Sequence, residues 1–191
     1  MNAIPDFPIT AQGIYSTAFR NNNIFQFKDA CNFIAELNYR RNVDKTDPLT
    51  VLNELQGTCS SKHALLKRLS DENLHAELKL YVGIFEMNEN NTPILSNVFK
   101  ANRLSAVPEA HCYLKYKKLR FDFTGNTAIN LDIENEILEE HEINPDEIYN
   151  RKLVIHKMFI KQWLLSNNMN HLNDQQLWEI RELCIKQISD T

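Results

Sequence analysis

Hydrophobic positions recur along this chain with helical period in five places and with strand period in two. From about Ile24 to Arg40, Phe27, Ala30, Cys31, Ile34 and Leu37 recur at helical spacing and predict a helix with one apolar side. Asp47-Pro48 opens a short helix carrying Val51, Leu52 and Leu55, which Gly57 ends. A further helix starts at Cys59 and runs to about Leu69, with Ala64, Leu65, Leu66 and Leu69 on its apolar side. Leu78, Leu80, Val82 and Ile84 alternate as a strand within residues 77–87. Residues 109–123 predict a β-hairpin turning near Tyr116-Lys117. That centre pairs Leu114 with Leu119 and Cys112 with Phe121 on an apolar face, and Tyr113 with Arg120 and His111 with Asp122 on a polar one. Asn144-Pro145 starts a helix to about Ser166 with a broad, buried stripe of Ile148, Val154, Ile155, Met158, Phe159, Trp163 and Leu164. Asn173-Asp174 starts a last helix to about Ser189.

Between these elements the pattern is weaker. Residues 1–23 read as an irregular arm, because Pro5, Pro8 and Gly13 interrupt it. Residues 92–108 read as a loop or a short helix around Leu95–Lys100. The acidic run of residues 126–144 reads as a solvated surface. The whole predicts one α+β domain over residues 1–191, made of an N-terminal arm and helix (1–45), a core (46–125) and C-terminal helices (126–191).

Composition narrows the classes. A chain of 191 residues with 43% hydrophobic and 24% charged residues is globular in composition. A net charge of -4 gives no basic footprint for nucleic acid or for an acidic membrane surface. No run approaches a transmembrane length, and the first eight residues lack the basic and apolar regions of a secretory signal. The four cysteines, Cys31, Cys59, Cys112 and Cys184, lack the spacing of a disulfide scaffold, so free thiols in a reducing cytoplasm are expected.

Cys59 is the residue that changes this picture from architecture to chemistry. At the start of a helix, a cysteine meets unpaired backbone N–H groups and the positive end of the helix dipole. Both favour the thiolate, which is the nucleophilic form. A thiol nucleophile needs a base, and an imidazole base needs a partner to fix its tautomer. The hairpin supplies His111 and Asp122 on one face, completing a Cys59–His111–Asp122 triad. The Cys59 backbone N–H is a candidate oxyanion donor, and Tyr113 and Arg120, which share the polar face of the hairpin, read either as cleft-lining residues or as an ordinary cross-strand pair. Cys31 and Cys184 fall on apolar stripes as core residues, and His63 reads as a surface or supporting residue. His75, His141, His156 and His171 read as solvent-titrating. A zinc site from Cys59, His63, His111 and Cys112 is disfavoured, because His111 and Cys112 point to opposite faces of one strand. The acids of residues 134–142 lack the pattern of a calcium loop, and no cofactor is expected.

The segment from Leu52 to Leu66, with its Gly57-Thr58-Cys59 step into a helix, resembles the active-site motif of the transglutaminase-like superfamily. His111 and Asp122-Phe123-Thr124 resemble the family's second and third blocks. The resemblance covers roughly residues 46–125 and is that of a small bacterial-type member. It implies a papain-like α+β fold, in which a helix with cysteine at its N-terminus packs on an antiparallel sheet carrying His and Asp, with flanking helices. It also implies cysteine-dependent acyl transfer on a peptide, protein or amide-containing small molecule, by hydrolysis or transfer, and by analogy with papain-like enzymes it offers Gln56 as a second oxyanion donor. The alternative is a catalytically silent binding or scaffold protein that keeps the fold.

Overall fold

The computed structural model describes residues 4–189; the ends of the expected 1–191 domain lie outside them. The fold is α+β, with seven α-helices and six strands among the described residues. The helices are α1 (Ile14–Asn21), α2 (Phe27–Glu36), α3 (Thr50–Asn53), α4 (Cys59–Glu72), α5 (Ser96–Asn102), α6 (Asn150–Ser166) and α7 (Asp174–Ser189). The strands are β1 (Asn38–Tyr39), β2 (Gln56–Gly57), β3 (Lys79–Asn88), β4 (Ala106–Tyr116), β5 (Leu119–Phe121) and β6 (Glu139–Ile143). β1 and β2 pair in parallel, and the four-stranded antiparallel sheet has the order β5-β4-β3-β6. No helix is long and apolar enough to cross a membrane among the described residues.

By its contacts the chain divides into two compact units. The first comprises residues 4–82, 112–125 and 141–148 of the described chain; the second comprises residues 83–111, 126–140 and 149–189.

In the first unit α4 is the central helix. It packs against α1, α2, α3 and the turn at Pro145–Glu147. The stripe expected on α2 is buried, with Phe27, Ala30, Cys31 and Ile34 all inaccessible. That helix is shorter than its periodicity suggests, because Leu37 turns extended and the chain passes into β1 beside β2. The expected arm contains a helix, α1, whose N-terminus is held by a distant carboxylate. Glu72 accepts hydrogen bonds from the N–H groups of Tyr15 (3.1 Å) and Ser16 (2.7 Å) and from the Ser16 hydroxyl (2.7 Å). This satisfies helix-end donors that no local side chain caps.

The hairpin forms, but its register differs from the expected one by two residues. Leu114 pairs with Phe121, Lys115 with Arg120 and Tyr116 with Leu119, around a Lys117-Lys118 turn. A two-residue slip keeps every side chain on its own face, so the hydrophobic pattern alone does not discriminate the two registers. In the observed turn Lys117 is left-handed, at φ 57°, a conformation that two-residue hairpin turns favour. The expectation that Asp122 lies within the sheet is corrected by the same shift, since β5 ends at Phe121.

In the second unit α7 packs against α6, α5 and the short turn Pro93–Leu95. On α6 the buried face is His156, Ile160, Trp163 and Leu164. Val154 and Met158, expected inside, are 56% and 59% exposed. The buried residues follow an i, i+4, i+7, i+8 stripe, and a helix buries that width against its neighbours rather than the broader one. The acidic stretch is not all loop, because its end forms β6.

This unit also encloses an ion pair. Arg181 makes two hydrogen bonds to Glu109, Nε to Oε2 and Nη2 to Oε1, each 2.5 Å, and both residues are buried. Burial pushes the Glu109 carboxyl up, but Arg181, with His156 and Lys152, holds it below its ordinary value. His156, expected in solvent, is buried and donates from Nε2 to the Pro108 carbonyl at 2.9 Å. Burial lowers its pKa, against the pull of Glu109.

Candidate active site

Cys59 is the first residue of the 14-residue α4, with Thr58 as N-cap. The step into the helix is tight. Ser61 accepts the Thr58 N–H at 3.0 Å and donates its own proton to Asn42 at 3.0 Å. A Cβ on Gly57 would lie 2.9 Å from Ser61 Oγ and 3.0 Å from Lys62 Cγ, so the backbone approaches too closely for a side chain. Cys59 is buried, 4% exposed as a residue, and its thiol lies 3.9 Å from the Ser60 hydroxyl. Cys112, on β4, donates to that same hydroxyl at 3.5 Å.

Almost the whole of α4 is buried, polar residues included. His63 is fully inaccessible, which removes the surface alternative and leaves the supporting one. Its Nδ1–H donates to the Cys59 carbonyl at 2.8 Å, and its Nε2 accepts the Phe123 N–H at 2.7 Å. An amide can only donate, so the ring is the neutral Nδ1–H tautomer. Asp122 Oδ1 stands 3.5 Å from His63 Nε2 and accepts the Thr124 N–H at 2.9 Å. The Asp122 side chain is 29% exposed. Lys62 is also fully inaccessible and donates to the carbonyls of Leu37 (2.6 Å) and Thr124 (2.7 Å). The first turn of α4 is thus joined to residues 122–124 by two adjacent side chains.

Sequence reasoning passed over Lys62. Its signal was available: Lys62 and His63 stand three and four residues after Cys59, the spacing that shares a helix face.

His111 lies on β4 in the second unit, is 6% exposed, and meets Phe85 edge-on with ring centroids 6.2 Å apart. Gln56 lies on β2, where its side-chain amide donates to the Arg41 carbonyl (3.1 Å) and to Glu54 (3.2 Å). Both amide hydrogens are therefore committed. Tyr113 is fully buried, stacked on Tyr81 at 6.2 Å, and its hydroxyl accepts from Arg120 Nε at 3.3 Å. The cross-strand partner of Arg120 is Lys115 rather than Tyr113.

The other thiols differ from Cys59 in surroundings. Burial and then Asp6 push the Cys31 thiol far up, and burial and then Glu109 push Cys184 up to about 12. None of the four cysteines is in a disulfide. Among the described residues no three His, Cys, Asp or Glu side chains are grouped as a metal ion would require. A recess of about 430 Å³ near the far end of α4 is lined by Tyr15, Arg68, Asp71, Glu72, Asp146 and neighbours, away from the thiol in the helix sequence. No protein-family model, curated protein or solved structure matches this chain.

Proposed function

We propose that this protein is a cysteine-dependent acyl-transfer enzyme of transglutaminase-like type, with a papain-like arrangement of its α+β elements. Cys59 is the nucleophile; the family resemblance, rather than the hairpin register, assigns His111 as the base and Asp122 as its orienting residue. The reading is carried by one observation: His63 ties the Cys59 carbonyl to the Phe123 N–H, which holds the cysteine and aspartate motif blocks together in one unit. The position of Cys59 at the head of α4 supports it further, since the helix end favours the thiolate.

The chemistry runs in two halves. The Cys59 thiolate adds to an amide carbonyl, forming the C–S bond and moving the π pair onto oxygen. The pair returns as the C–N bond breaks, and the amine leaves with the proton that His111 took from the thiol. Water or a second amine then resolves the acyl-enzyme. The Cys59 N–H is the candidate oxyanion donor, and the substrate is a peptide, a protein or a small amide. Free thiols fit a reducing, cytoplasmic setting.

A second reading, a scaffold that keeps this arrangement without turnover, is favoured by the commitment of both Gln56 amide hydrogens to Arg41 and Glu54. Alkylation by iodoacetamide across pH, read by mass spectrometry at each cysteine, separates the two. An enzyme shows Cys59 reacting well below the ~8.5 of a free thiol, with Cys31 and Cys184 silent. His111→Ala then returns the Cys59 profile toward that of a free thiol. Equal reactivity at Cys59 and Cys184 refutes the nucleophile.

A further inference from the structure

Lys62 is an ammonium with no access to water. Burying such a group is costly unless it is well partnered. Its hydrogen-bond partners, the Leu37 and Thr124 carbonyls at 2.6 and 2.7 Å, are neutral. The negative charge that acts on it comes from Asp122 and from Cys59. Asp122 lies two residues before Thr124, and Cys59 lies three residues before Lys62 on the same side of α4. The third titratable group here, His63, has both ring nitrogens occupied and is neutral. Burial lowers the Lys62 pKa to about 8, while Asp122 and Cys59 pull it up. Such coupling is reciprocal: a thiolate that holds the proton on Lys62 is itself held ionised by Lys62.

The geometry points to Lys62 as a positioning residue of the proposed acyl-transfer site: its buried ammonium is the fixed counter-charge of the Cys59 thiolate and the clamp, through the Thr124 carbonyl, on the segment bearing Asp122. This inference rests on the reading of Cys59 as the nucleophile. The two tasks belong to one atom, because Nζ both holds the Thr124 carbonyl and feels the two acidic groups. A neutral side chain of the same length keeps much of the packing and loses both.

The test uses the full chain. Cys59 alkylation is followed against pH in wild type and Lys62→Met, with Cys31 and Cys184 as internal controls. The Cys59 midpoint is expected to rise by about 1–3 pH units in Lys62→Met, the range for losing an opposite charge close by. In parallel, the Lys62 ε-carbon is titrated by NMR in wild type and in Cys59→Ala, where Lys62 is intact. Its midpoint is expected to fall when the thiolate is removed. A Lys62→Met protein that is less stable but keeps the wild-type Cys59 profile, or a Lys62 midpoint unmoved by Cys59→Ala, makes Lys62 a structural clamp only and overturns the inference. If Lys62→Met does not fold, the NMR comparison decides alone. A wild-type Cys59 that titrates as an ordinary thiol refutes the nucleophile reading instead, a different result from an activated Cys59 indifferent to Lys62.

Discussion

Replacing Gly125 by alanine is expected to destabilise the first unit by about 3 kcal/mol, from two terms of similar size. Gly125 sits at φ 66°, in the left-handed region. A non-glycine residue there costs about 1–2 kcal/mol. The second term is steric. A Cβ at Gly125 would lie 1.8 Å from the Ala35 carbonyl oxygen and 2.9 Å from its carbon. These are backbone atoms of α2, so no rotamer relieves the overlap and one segment must move. Overpacking of this kind typically costs about 1–3 kcal/mol. With a urea slope of about 2 kcal/mol per molar, the unfolding midpoint should fall by about 1.5 M. Far-UV ellipticity is the suitable readout, because both tryptophans belong to the second unit. Ala35→Gly in the same background should not restore the midpoint, since the clash is with backbone. A midpoint within about 0.3 M of wild type would refute the reasoning, being the size of an ordinary surface change. Displacing residue 125 also moves the Thr124 carbonyl from Lys62, so the Cys59 alkylation profile should shift with stability.

The second unit yields two further predictions. Arg181→Met leaves the Glu109 carboxylate buried without its partner and should cost about 3–5 kcal/mol in urea unfolding, with Glu109→Gln in the same chain recovering part of the loss. His156 should set the first acid limb of stability. Its folded pKa is depressed, so the unfolded chain takes up the proton first; stability is full above the unfolded value of about 6.5 and is lost as pH falls through it toward the folded value. Glu109 is also depressed, so its contribution stands above the ordinary glutamate value and is lost only at lower pH, toward its own folded value. His156→Gln, which keeps a donor for the Pro108 carbonyl, should flatten the first limb and leave the second; thermal melts between about pH 7 and about pH 2 resolve the two. An unchanged first limb would assign it to another group.

Several features were legible because they are local. The α2 stripe of Phe27, Ala30, Cys31 and Ile34 follows from period alone, and those residues are buried. The alternation of Leu78, Leu80, Val82 and Ile84 is likewise buried throughout, mostly within β3. The start of α4 at Cys59 was readable from the glycine before it and the apolar spacing after it. For the candidate site, that start and the apolar face of the hairpin were legible, but the pairing was not. Two registers that differ by two residues bury the same face, so the hydrophobic pattern does not choose between them. The exposure of Val154 and Met158 was hidden for a similar reason: period marks a stripe, while its width depends on the helices that meet it.

Hydrophobic period and helix-end chemistry therefore determine where α2, α4, α6, α7, β3 and β4 broadly lie and which residue heads α4. The surroundings of that residue were decided by the tertiary structure. Lys62 and His63 read as polar surface positions by type, yet they are inside, because their partners arrive from 25 and 62 residues away at Leu37 and Thr124, and from 60 away at Phe123. A buried charge or imidazole is tolerated only where such partners converge. No local pattern encodes that convergence, since it depends on where α2 ends and where the chain leaves β5.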